Sequence, residues 1–222
     1  MSAKETGLTP PFPKERNNME EGTGLRIKLF GDPVLRKKAL AVKKITPRHK
    51  QILSSMARLM YEGGGIGLAA PQAGILETMI TVDIGSGLYK LINPKVVKRE
   101  GRQALEEGCL SVPGVCVKVR RAKKITVHAQ DEEGKPLSIE AEDLLACVLE
   151  HEIDHLRGRL IVDYASFIER MRIKKKLEKL SRQAIEESGG IPPEYQIGSA
   201  GKKRPQDEIL PESETKSCKL QL

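Results

Sequence analysis

At 222 residues the chain is long enough for one domain with a full core, and aromatics at 3% without tryptophan require that core to be aliphatic, which argues against a base-stacking platform for single-stranded nucleic acid. A net charge of +8 and a pI near 9.3 suit either an ordinary basic surface or attraction to a polyanion such as RNA, and charge alone does not choose. The sequence shows no apolar N-terminal signal region and no apolar run of membrane-spanning length, so the expected compartment is cytoplasmic, with Cys109, Cys116, Cys147 and Cys218 reduced.

Residues 1–24 mix proline, glycine and both charges without periodicity and are expected to be a flexible extension. From Leu25 the pattern tightens, and "GDPVLRKKA" reads as an extended segment crossing the surface. Thr46-Pro47 is a helix start, followed by Ile52, Met56, Leu59 and Met60 on one apolar face, with "GGG" at 63–65 ending the helix. Strands are expected at 78–84, 88–94 and 95–100, and again at 123–130 and 136–142, the last two flanking the turn "DEEG". Residues 142–157 read as a helix apolar around most of its circumference, hence buried, with Gly158 just past its end. A last helix over 166–187 carries the packing stripe Ile173, Leu177, Leu180 and Ala184, with seven basic against four acidic residues. The remainder, 188–222, has no apolar period and is expected to be flexible. The fold class is α+β: short, mostly antiparallel sheets around a buried helix, plus a C-terminal helix, in a domain spanning 25–187.

The buried helix contains "HEIDH". His151 and His155 are four residues apart and project from one face, with Glu152 beside them: the H-E-x-x-H arrangement of two metal ligands and a general base. Two imidazoles and a carboxylate in an otherwise apolar helix are costly without a purpose. A catalytic transition metal needs a third ligand. The metzincin protease pattern places it as a histidine at 161, which is Ile161 here. Glu169 and Glu178 belong to the basic helix and read as surface ion-pair partners. The remaining candidate is Cys109 in "EEGCLSVPG", although a lone cysteine is most often a small buried apolar residue. Cys147 reads as core, and Cys116 as core or pocket rim.

Three segments together, "GIGLAAPQ" (65–72), "EGCLS" (107–111) and "HEIDH" (151–155), resemble the peptide deformylase family in order and separation. The resemblance covers about 25–187 and leaves both tails without a counterpart. It implies a hydrolase that removes the formyl group from N-formylmethionyl nascent peptides and releases formate. It further implies Cys109, His151 and His155 as metal ligands and Glu152 as general base. Gln72 (side-chain amide) and Leu110 (backbone N–H) would be oxyanion donors. Gly65, Ile66, Gly67, Leu144 and Val148 would bind substrate, although Leu144 and Val148 suit ordinary core nearly as well. Glu107 and Arg121 match a family pair that buttresses the metal loop, and Asp154 is either an orienting group or a solvent-facing residue. The donor set accepts Zn, Ni, Co or Fe(II), and the resemblance implies Fe(II). Cys116 stands where many members carry a larger or basic residue lining the groove. Expected partners are formylated nascent chains and, through the basic helix 166–187, the ribosome; no membrane and no specific DNA are expected. A zinc endopeptidase and an RNA-binding module are the competing readings.

Overall fold

Thr46, in extended backbone, and Pro47, whose fixed φ suits a first helical turn, start α1 (Pro47–Glu62). The ring nitrogen Nδ1 of His49 accepts the Thr46 backbone N–H at 3.0 Å and closes that end. Ile52, Leu53, Met56 and Met60 are buried along one face, and the chain turns away at Gly63 and Gly64, the latter in left-handed backbone that costs glycine little. The computed structural model describes residues 24–188 and Leu222; the extensions expected to be flexible otherwise lie outside the described residues.

Seven strands follow: β1 (Gly67–Ala69), β2 (Met79–Val82), β3 (Tyr89–Glu100), β4 (Gln103–Glu107), β5 (Val117–Arg121), β6 (Lys124–Gln130) and β7 (Pro136–Glu142). Five of them form an antiparallel sheet in the order β1-β2-β3-β6-β7, while β4 and β5 pair separately and antiparallel. The architecture is thus α+β with antiparallel sheets, as expected. Two strand expectations, 88–94 and 95–100, merge into β3. Pro94 has no N–H to give the ladder, and Asn93 beside it adopts φ 53°, so the register against β6 shifts between Ile92 and Lys95 without ending the strand. Asn93 is held there by its side chain, which accepts from Val42 N–H and donates to Val42 C=O, each at 2.9 Å. The segment read as extended at 31–39 instead contains a 3₁₀ turn, Pro33–Arg36, because the Asp32 carboxylate caps Val34 N–H at 2.9 Å ahead of a proline.

α2 (Asp143–His155) is buried continuously from Ala146 to His155 and packs on β1, β2, β3, β5, β6 and β7. Past its end, Gly158 has φ 73°, and an added Cβ there would crowd the Arg36 carbonyl, so the close return of the chain to residue 36 requires glycine. α3 (Phe167–Ser188) lays Leu180 and Ala184, both buried, with the half-buried Ile173 and Leu177, against the body of the protein. Ile173, Leu177 and Leu180 share an apolar cluster with Cys109, Val112, Val117 and Val119, so this helix braces the β4–β5 connection. Lys176 adds a hydrogen bond to the Gly114 carbonyl in the same connection.

Candidate metal centre

β4 ends on Glu107 and delivers Gly108, Cys109 and Leu110 to the surface of α2 that carries His151 and His155. The Cys109 Sγ lies 3.3 Å from His155 Nε2, and that nitrogen lies 3.2 Å from His151 Nε2. All three ligand atoms fall within 4.8 Å of one another, and all three residues are buried. Two imidazole lone pairs facing one another repel, but they are correctly spaced as edges of a coordination tetrahedron: bonds of about 2.0–2.3 Å give edges of about 3.3–3.5 Å.

The protonation of each ligand follows from its surroundings. His151 Nδ1 stands 2.9 Å from Glu107 Oε2, which assigns the ring proton to Nδ1 and leaves the Nε2 lone pair facing Cys109 and His155. Burial, reinforced by the neighbouring His151, holds His155 well below the usual histidine range, so its ring is neutral and fit to ligate. Burial, then the Glu152 charge, pushes the Cys109 thiol up to about 12 in the absence of a cation, so thiolate formation here requires one. The neighbouring Glu152 is fully buried, and neither of its oxygens has a hydrogen-bond partner among the described residues. Burial pushes its carboxyl well above the usual carboxylate range, with the Arg121 charge opposing. A soft donor, two neutral imidazoles and an unpartnered carboxylate in a dry site fit a divalent transition metal with an open coordination position.

Behind the ligands lies an ionic network. Arg121 grips Glu107 with two hydrogen bonds, Nε to Oε1 at 2.8 Å and Nη2 to Oε2 at 2.9 Å. Burial pushes the Glu107 carboxyl up, but the bonds from Arg121 and His151 outweigh it and hold it down at about 2. The same guanidinium reaches Asp154, which also accepts from Tyr164 Oη at 2.6 Å, and the Tyr164 ring lies 5.1 Å from Arg121 Cζ. Cys147, the expected core cysteine, is buried and donates its thiol proton to Glu107 at 3.1 Å. Asp154 therefore faces inward to the network, not outward to solvent. Tyr164 is a member that the sequence reading missed, and its one-dimensional context carries no signal for it.

The glycine-rich segment lies along the other side. A Cβ on Gly67 would overlap the Glu152 carboxylate and meet Val148 Cγ1 at 3.0 Å, while one on Gly65 would meet Leu110 Cδ1 at 2.7 Å. β1 thus runs directly over Glu152 and Leu110. In the 3₁₀ turn Ala70–Ala73 that follows, Gln72 Oε1 accepts the Ala69 N–H at 2.8 Å, which orients its Nε2 toward Cys109 Sγ at 3.5 Å. Val148 lies in an apolar cluster against which Ile66 and Leu144 pack. Leu110 N–H, at the far side of Cys109, donates to the Leu222 carbonyl oxygen at 2.9 Å. Cys116, expected as a thiol, is instead disulfide-bonded, whereas Cys109 and Cys147 are free.

Residues 25–171 match the family pattern described as Polypeptide deformylase. The peptide deformylase of Thermoanaerobacter pseudethanolicus is 51% identical over 139 residues, covering 63% of this chain and 87% of that protein. That of Syntrophomonas wolfei is 50% identical over 147 residues, covering 66% and 92%. Among solved structures, a peptide deformylase from Legionella pneumophila superposes with a TM-score of 0.68 at 41% identity, covering 72% of this chain and 96% of that one. The enzyme from Synechococcus elongatus, solved in complex with actinonin, gives 0.64 at 34% identity, covering 78% and 92%. By sequence and by fold, then, the chain belongs to the peptide deformylase family.

Proposed function

We propose that the protein is a metal-dependent hydrolase that removes the formyl group from N-formylmethionyl nascent polypeptides and releases formate, acting in the compartment where such chains are made. The observation that carries this reading is the convergence of Cys109, His151 and His155 within 4.8 Å of one another, two of the three pairs at tetrahedral-edge distances, beside the unpartnered buried carboxylate of Glu152. A divalent metal held by those three residues, Fe(II) with Zn, Ni or Co as substitutes, supplies the positive charge that acidifies a water and polarises the formyl oxygen.

The chain's own residues do the rest. Glu152 accepts the proton of the attacking water and returns it to the leaving amine, a role for which its raised carboxyl affinity suits it. Gln72 Nε2 and the Leu110 N–H donate to the oxyanion that develops on the formyl carbon. Gly65 and Gly67 let an extended substrate backbone approach as an added strand, and Ile66, Leu144 and Val148 receive the methionine side chain. Glu107, through His151 Nδ1, keeps that ring in its ligating tautomer. The catalytic domain occupies 25–187, with extensions on both sides.

The test is formate release from formyl-Met-Ala-Ser by anaerobically prepared Fe(II) protein. Release by the unaltered chain and a loss of about a thousandfold in Glu152→Ala, roughly 4 kcal/mol of transition-state stabilisation, is expected. No release despite bound metal would overturn the reading. Basic residues of α3, beside the exposed Phe167, Ile168 and Met171, also support contact with the ribosome. Cosedimentation with ribosomes that weakens with salt is expected, and no binding at low salt would refute it.

A further inference from the structure

Leu222 is fully buried, and its partners among the described residues lie far away in sequence. Its N–H donates to the Gly108 carbonyl at 3.4 Å, and its carbonyl oxygen accepts from Leu110 N–H at 2.9 Å. Bonding to the residues on either side of Cys109 is the pattern of a parallel β-bridge, so Leu222 lies alongside that ligand as an added strand residue. Its side chain belongs to the apolar cluster containing Val148, against which Ile66 and Leu144 pack. Leucine and methionine are close in volume and exchange with little cost in apolar sites. Leu222 therefore uses both features assigned above to substrate: the pocket for the methionine side chain and the Leu110 donor.

We propose that Leu222 is an intramolecular pseudosubstrate that occupies the methionine pocket and the Leu110 N–H. The inference rests on the deformylase reading for what it displaces. An occupant on the same chain competes at high effective concentration, so substrate sees only the fraction of protein in which the pocket is open. The apparent KM rises by the inverse of that fraction, and kcat at saturation is unchanged.

The experiment compares the full chain with Leu222→Asp and Leu222→Met, each loaded with Ni(II). The first readout is hydrogen exchange of the Leu110 amide, which needs no turnover. The second is the KM and kcat for formyl-Met-Ala-Ser. Expected are exchange at least tenfold faster and a KM at least tenfold lower, with kcat unchanged, in Leu222→Asp. Leu222→Met behaves as the unaltered chain. Equally slow Leu110 exchange in Leu222→Asp, or faster exchange with an unchanged KM, overturns the proposal. Should no variant release formate, the deformylase reading fails by itself, and the Leu110 exchange still decides whether Leu222 covers that donor.

Discussion

Glu107 shows how one side chain sets the geometry of several others. It fixes the His151 tautomer, receives both arms of Arg121 and accepts the Cys147 thiol, all while fully buried. Removing its main counter-charge strands it. Arg121→Met is expected to lower folding stability by about 3–5 kcal/mol, the range for breaking a buried ion pair from one side. Urea unfolding of the metal-free protein measures this, and a loss below about 1 kcal/mol would show that Asp154 and Glu107 find other partners. Gly67 makes a different demand. It lies in ordinary strand backbone, so alanine costs little there by conformation, but its Cβ would displace the Glu152 carboxylate. Gly67→Ala should keep the fold, seen by circular dichroism, and lose about a hundredfold in kcat/KM, roughly 2.7 kcal/mol. Near-full activity would show that β1 can move away without cost.

Among the elements, the helices were the most legible, because a period of 3.6 sustained over 13 to 22 residues is hard to produce by chance. The strands were less so. β1, β4 and β5 have three to five residues each, and β4 and β5 are rich in charge, so the alternation of buried and exposed positions along Val117–Arg121 is too brief to stand out. Yet β4 is the strand that delivers Cys109, which is why the ligand was found through the resemblance and not through periodicity. The energetic contrast between helix faces is testable. Leu149, fully buried on α2, should cost about 2–5 kcal/mol when cut to alanine. Lys174 on α3, exposed and in a long i,i+4 pair with Glu178 at 3.9 Å, should change stability by less than about 0.5 kcal/mol. Chemical denaturation of both variants checks the pair, and equal losses would mean that α2 packs no more tightly than α3.

Across the whole molecule, three apolar clusters meet at the metal centre: α2 against the five-stranded sheet, α1 against β1 and β2 with Leu110, and α3 against the β4–β5 connection. His151 and His155 ride on α2 and Cys109 on the connection after β4, two differently supported elements, so a bound metal would link two of these bodies. Metal should therefore stabilise the folded chain by mass action, by about 4 kcal/mol at a thousand times its Kd. A chelator is expected to lower Tm by several degrees in the unaltered protein and to leave Cys109→Ala almost unmoved. An equal drop in both would mean that metal binds elsewhere.

The sequence by itself determined the three long helices, the α+β class and the placing of His151 and His155 on one helix face with Glu152 beside them, because these depend on local periodicity. It also carried the three segments whose likeness named the family. Only the tertiary structure decided that the Cys109 sulfur lies beside His155 and within reach of His151, that Asp154 turns inward to Arg121 and Tyr164, and that Leu222 lies against Gly108 and Leu110. Each of those contacts joins residues well apart in the chain, and their chemistry arises from burial and proximity that no local pattern encodes.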